Sequence, residues 1–99
     1  MKYWIPSQMQ VGKHKYIVRQ ERMVDNGLCR GQVNIKTKTV MLAERDAHGH
    51  KFSANERYET LFHELTHAVL YEMKSPLTYN EKFVTKFAKL LTDAIVSAK

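Results

Sequence analysis

Between Ser53 and Pro76 apolar side chains return every three or four residues: Tyr58, Leu61, Phe62, Leu65, Ala68, Val69 and Met73. That spacing puts them on one face of an α-helix and predicts a helix from about residue 54 to Lys74. Ser53 or Asn55 can cap its start, Glu56 and Glu59 suit its first turn, and Ser75-Pro76 ends it. Few small folds can absorb so long a helix in a chain of 99 residues, which is one domain with a single modest core. The remaining elements must be arranged to cover its apolar face.

Upstream the period changes to two. Tyr16-Ile17-Val18-Arg19-Gln20-Glu21 is rich in β-branched and aromatic residues and predicts a first strand, and Asp25-Asn26-Gly27 is a turn signal after it. Gly31 to Lys36 alternates apolar and polar residues, Thr37-Lys38 turns the chain, and Thr39 to Glu44 follows as the second arm of a hairpin. A small, mostly antiparallel sheet of three strands is expected. Residues 1 to 14, with Pro6 and Gly12, read as an irregular lead-in in which Trp4 packs on the core. Arg45 to Lys51 is a polar loop whose histidines, His48 and His50, are expected to be solvated.

After Ser75-Pro76-Leu77-Thr78-Tyr79, Asn80 can cap a last helix over about 80–98. Glu81, Val84, Ala88, Leu91 and Ile95 make its buried stripe, with Phe83, Phe87, Leu90 and Ala94 beside it and Lys82, Lys86, Lys89 and Asp93 on the wet face. A turn this short folds the two helices back as an antiparallel pair. The fold class expected is therefore α+β, a small sheet packed on one long helix and its antiparallel neighbour.

The chemistry sits on the flank of the first helix, away from its apolar stripe, in His63-Glu64-Leu65-Thr66-His67. Two histidines four residues apart rise one above the other, so their imidazoles can close on one cation. Glu64 comes round beside that cation, where a carboxylate can take a proton from water. Glu81 is either a third ligand or an ordinary first-turn glutamate stabilised by the helix dipole; a carboxylate heading an apolar stripe is costly unless a cation compensates it.

The net charge of +6 comes from scattered lysines with no basic run or aromatic platform, so a solvated surface is expected in place of a nucleic-acid interface. One cysteine, Cys29, rules out an internal disulfide and a cysteine-built metal site. The start lacks the apolar run of a signal peptide and no stretch approaches a membrane span, so a soluble cytoplasmic protein is expected.

In this order of sheet, histidine helix, short turn and glutamate helix, the chain resembles the gluzincin branch of the zincin metallopeptidases. It is most similar to the minigluzincins and the peptidases of the ImmA/IrrE type. The resemblance covers about residues 30–98 and rests on His63-Glu64-Leu65-Thr66-His67, on Asn80-Glu81 and on Phe87-Ala88-Lys89-Leu90-Leu91. It implies a minimal zincin-like domain over 1–99 in which Zn2+ is held by His63, His67 and Glu81, with Glu64 as general base on a zinc-bound water. Thr66 stands where ImmA/IrrE proteins commonly have glycine. Thr85 stands where thermolysin-like enzymes place an aspartate, which leaves the partner of His67 open.

The expected activity is hydrolysis of a peptide or protein substrate, with Tyr79, Tyr71 or a loop histidine as candidate donors to the oxyanion. The strand at 39–44 is the expected sheet edge for an extended peptide. Two alternatives belong to other classes: a zincin-fold module that only binds another protein, and a basic regulator of nucleic acid. Oligomeric state and cleavage preference have no signature in the sequence.

Overall fold

Gly12 starts the sheet earlier than periodicity suggests. With φ +60° it occupies the first position of a tight turn that joins β1 (Gln8–Val11) to β2 (His14–Glu21) as an antiparallel hairpin, with Val11 opposite His14. The expected irregular lead-in is thus a strand from Gln8 to Val11. The computed structural model describes residues 4–98, and within them Trp4 is 71% exposed instead of packing on the core.

After a short turn at Asp25–Gly27, β3 (Gly31–Asn34) and β4 (Thr39–Ala43) form the expected hairpin, with Val33 opposite Val40. Lys38 takes a left-handed φ of +54° at its tip. The sheet has four strands in the order β1-β2-β4-β3, and β2 pairs with β4 in parallel. The expected count of three strands is corrected to four, and the sheet is mostly antiparallel as expected, two of its three pairings being antiparallel. β4 is therefore central, which suits its apolar run: Val40, Leu42 and Ala43 are fully buried. The edge strands are β1 and β3.

Helix α1 (Ala54–Glu72) starts on a capping box, in which the Glu56 amide donates to Ser53 Oγ at 3.1 Å and the Ser53 amide donates to Glu56 Oε1 at 2.9 Å. It ends in a Schellman turn, with Lys74 at φ +58° and the amide of Ser75 donating to the Leu70 carbonyl. Its apolar stripe covers one face of the sheet, where Tyr58, Leu61 and Ala68 meet Val11, Tyr16, Val18, Val40 and Leu42. The stripe stops short of its expected end, because Val69 and Met73 are exposed.

Helix α2 (Glu81–Val96) runs antiparallel to α1, since Glu81 lies beside His63 and His67 while Lys89 reaches back to Glu59. It packs on the flank of α1 that carries Thr60, Thr66, His67 and Leu70, all of which are buried. The histidine flank is thus partly covered although it is not apolar, with His63 half-buried. The fold is α+β.

The C-terminal end of α1 is fastened to the sheet by Glu72. One carboxylate oxygen accepts from Tyr16 OH at 2.7 Å and from Lys38 Nζ at 2.9 Å, and the other meets His14 Nδ1 at 2.7 Å. These hydrogen bonds hold the Glu72 carboxyl down at a pKa of about 2, and burial together with Glu72 pushes the Tyr16 phenol up. Lys38 also lies over the rings of Tyr71 and Tyr16, at 4.9 and 5.4 Å.

Candidate metal centre

One turn apart in the middle of α1, His63 and His67 stack edge to face with ring centroids 5.1 Å apart. Asn80 caps α2 by accepting from the Phe83 amide at 3.0 Å, which makes Glu81 the first helical residue and aims its carboxylate back at α1. Glu81 Oε2 is 3.1 Å from His63 Nε2, and Oε1 is 2.8 Å from His67 Nε2. One ligand atom from each of the three residues lies within 4.8 Å of the others.

Four-coordinate ions bound to nitrogen and oxygen at about 2.0–2.2 Å space those ligand atoms about 3.4 Å apart. The contacts to the two Glu81 oxygens, 3.1 and 2.8 Å, are somewhat shorter than this and the three-residue set spreads to no more than 4.8 Å, so the group could hold a metal ion after modest side-chain shifts. The hydrogen bonding of the histidines suits that role as well. A backbone carbonyl can only accept, so His67 Nδ1 donates to the Thr78 carbonyl at 2.6 Å, and Nε2 is the ring nitrogen turned to the cluster, 2.8 Å from Glu81 Oε1. At His63 burial lowers the pKa and outweighs the upward pull of Glu81, which favours the neutral ring.

The Thr78 carbonyl is itself held in place. Ser75 to Thr78 form a tight turn in which Thr78 Oγ1 donates to the Ser75 carbonyl at 2.7 Å and the Leu77 amide donates to Ser75 Oγ at 3.1 Å. The same short connection therefore supplies both the orienting group for His67 and, at its end, Glu81.

Glu64 is buried beside β3 and lines the same cleft as His63, His67 and Glu81. Burial pushes its carboxyl up to about 7, against the downward pull of His67. β3 passes close enough to cover it only because residue 31 is glycine. A Cβ there would stand 2.5 Å from Thr60 Cγ2, 3.0 Å from the Met41 carbonyl oxygen and 3.4 Å from Glu64 Cγ. Thr60 cannot easily swing aside, since its hydroxyl donates to the Glu56 carbonyl at 2.9 Å.

Two clefts meet at Gly31, His63 and Glu64. The larger, about 680 Å³, runs along β3 past His67, Tyr79 and Glu81; the smaller, about 430 Å³, leads off between Leu28, Thr60, Thr85 and Ala88. A chain laid along the larger cleft would lie beside the free edge of β3, which pairs only with β4. The expected edge at 39–44 is corrected accordingly: β4 has a partner on both sides, because β2 adds to it in parallel.

Of the residues singled out from the sequence, the structure brings together His63, His67, Glu81 and Glu64, with Tyr79 on the cleft wall. Glu81 does not head a buried stripe, its side chain being 68% exposed; the first turn of α2 opens onto the cleft. Tyr71 lines a different depression with Lys38 and Glu72, and His48 and His50 pair with each other and with Asp46 in their loop. Sequence reasoning missed Gly31 and the Thr78 carbonyl. A glycine opening a strand is the one cue to the first, and a backbone carbonyl leaves none.

No family model, curated protein or solved structure matches this chain.

Proposed function

We propose that the protein is a zinc-dependent metallopeptidase of the gluzincin type, acting in the cytoplasm on a peptide or protein substrate. The observation that carries this reading is the convergence of His63, His67 and Glu81 on one point, next to the buried carboxylate of Glu64, at the meeting of two clefts. Two imidazoles and one carboxylate are the ligand set of catalytic zinc sites that keep a fourth position open.

Zinc held by His63, His67 and Glu81 would supply a Lewis acid able to polarise a scissile carbonyl and to lower the pKa of water towards about 7. Glu64 takes the proton from the attacking water and hands it to the leaving amine. Its burial supports that role, since a carboxyl poised near 7 can both accept and release a proton. The substrate backbone pairs with the free edge of β3, and Tyr79 stands on the cleft wall as the donor to the oxyanion. His67 is kept in register by the Thr78 carbonyl.

Metal analysis of the purified protein tests the site. Stoichiometric zinc in the wild type and its loss in Glu81→Gln are expected; equal zinc in both removes Glu81 as a ligand, and none in either removes the site. A substrate search with wild type and Glu64→Gln tests the chemistry. The variant should keep zinc and lose hydrolysis, whereas a partner bound and left uncut by both makes the protein a binding module.

A further inference from the structure

Helix α2 carries two apolar seams of identical spacing. Val84, Ala88, Leu91 and Ile95 fall at steps of four, three and four, and so do Phe83, Phe87, Leu90 and Ala94, one residue earlier in each case. The first seam is spent on the fold: Val84 and Ala88 are buried, and Leu91 and Ile95 are partly so. The second is open, with Phe83 36%, Phe87 46% and Leu90 60% exposed. Phe83 and Phe87 stack on each other at 5.8 Å, so the ridge is preformed. Alongside it lies a shallow groove of about 400 Å³, lined by Asn80, Lys82, Phe83, Lys86, Phe87 and Leu90.

A seam at steps of four and three is what a second helix needs for knobs-into-holes packing. The charges beside it select which helix. Lys82 and Lys86 border the groove at the same four-residue step, and no ion pair engages either of them among the described residues. Lys89, the next in that row, is already committed to Asp93 at 3.1 Å and Glu59 at 4.0 Å.

We propose that the outer seam of α2 docks an amphipathic helix of another protein, whose apolar stripe covers Phe83, Phe87 and Leu90 and whose acidic residues pair with Lys82 and Lys86. Two other occupants fit less well. A second copy of this chain would bring the same lysines to the contact, with Asp93 as the one acid exposed on α2 beyond the first turn. An anionic membrane favours a convex helix with cations on both flanks, whereas here the surface is grooved and the cations lie on one side. Phe83, Phe87 and Leu90 line neither cleft at the histidine cluster, so the seam neither requires nor restates the peptidase reading.

The test is selection from a displayed library of randomised helical peptides against the full-length protein, with binding of the recovered peptides measured on Phe87→Ser, Leu90→Ser and the Lys82→Glu/Lys86→Glu double variant. Recovered sequences should combine an apolar stripe with Asp or Glu beside it, and each variant should weaken them by at least about tenfold. The lysine variant should also flatten the salt dependence of binding. Unchanged zinc content and thermal midpoint in the variants separate a lost docking surface from a lost fold or a lost metal centre. Failure to enrich any peptide, recovery of peptides without acids, or binding indifferent to these variants overturns the proposal. So does self-association in sedimentation, or co-sedimentation with phosphatidylglycerol vesicles, that Phe87→Ser abolishes.

Discussion

Helix α1 carries two clusters in which a glutamate meets histidine, and they differ in every physical respect that matters. At its C-terminal end Glu72 is saturated: Tyr16, Lys38 and His14 all converge on its carboxylate, and its pKa falls to about 2. In the middle, Glu81 sits between two imidazoles with no lysine or arginine paired to it among the described residues, while Glu64 is buried and raised to about 7. A carboxylate held by three donors fixes geometry and has little capacity left for a ligand. One that faces two imidazoles is what a cation can complete, so the first cluster reads as a fastening and the second as a site.

The most severe way to break this contrast is Glu64→Gln, which removes the proton acceptor and keeps the shape. Hydrolysis should fall by about 10²–10⁴-fold with zinc retained, while Glu72→Gln should leave turnover per folded molecule unchanged. Next in size is the metal itself. Zinc at a thousand times its dissociation constant should stabilise the protein by about 4 kcal/mol, visible as a thermal midpoint higher by roughly 16–30 °C and reversed by a chelator. His67→Ala should gain none of this, and Glu72→Gln all of it.

A smaller effect tests the crevice that shelters Glu64. Gly31→Ala should cost about 1–3 kcal/mol in denaturant unfolding, because the new Cβ runs into Thr60 Cγ2. Adding Thr60→Ser removes that methyl group and should restore part of the loss, which a double-mutant cycle reads directly. The smallest effect sharpens the fastening. Glu72 has a depressed pKa, so its contribution is complete above the ordinary carboxyl value of 4.5 and disappears as pH falls towards about 2. The difference in thermal midpoint between wild type and Glu72→Gln should therefore be present at pH 6 and shrink through that window. A difference independent of pH would show that Glu72 acts through packing alone.

Much of the central cluster was legible because its information is local. His63 and His67 need only the helical period, and Glu81 needs only a cap at Asn80 and a short turn. Its exposure was not legible, since that depends on where the first turn of α2 falls relative to the cleft. The fastening was invisible for a related reason: His14, Tyr16, Lys38 and Glu72 come from three separate elements, and nothing in their spacing announces the meeting. The sheet divides in the same way. The β3–β4 hairpin follows from alternation and a turn, but the parallel pairing of β2 with β4 skips an intervening strand, and that long-range choice decides which strand is left at the edge. β1 was lost because Gly12 was read as irregularity when it marks a two-residue turn.

The short connection between the helices has a consequence for the order of events during synthesis. A growing chain that has reached Glu72 already carries both histidines and Glu64, yet the carbonyl that orients His67 and the third carboxylate both arrive later, at Thr78 and Glu81. The centre is thus assembled last, by the element that also closes the helical pair. If the proposed function holds, a nascent chain would neither bind metal with its final affinity nor cut its neighbours on the ribosome until α2 has folded back onto α1.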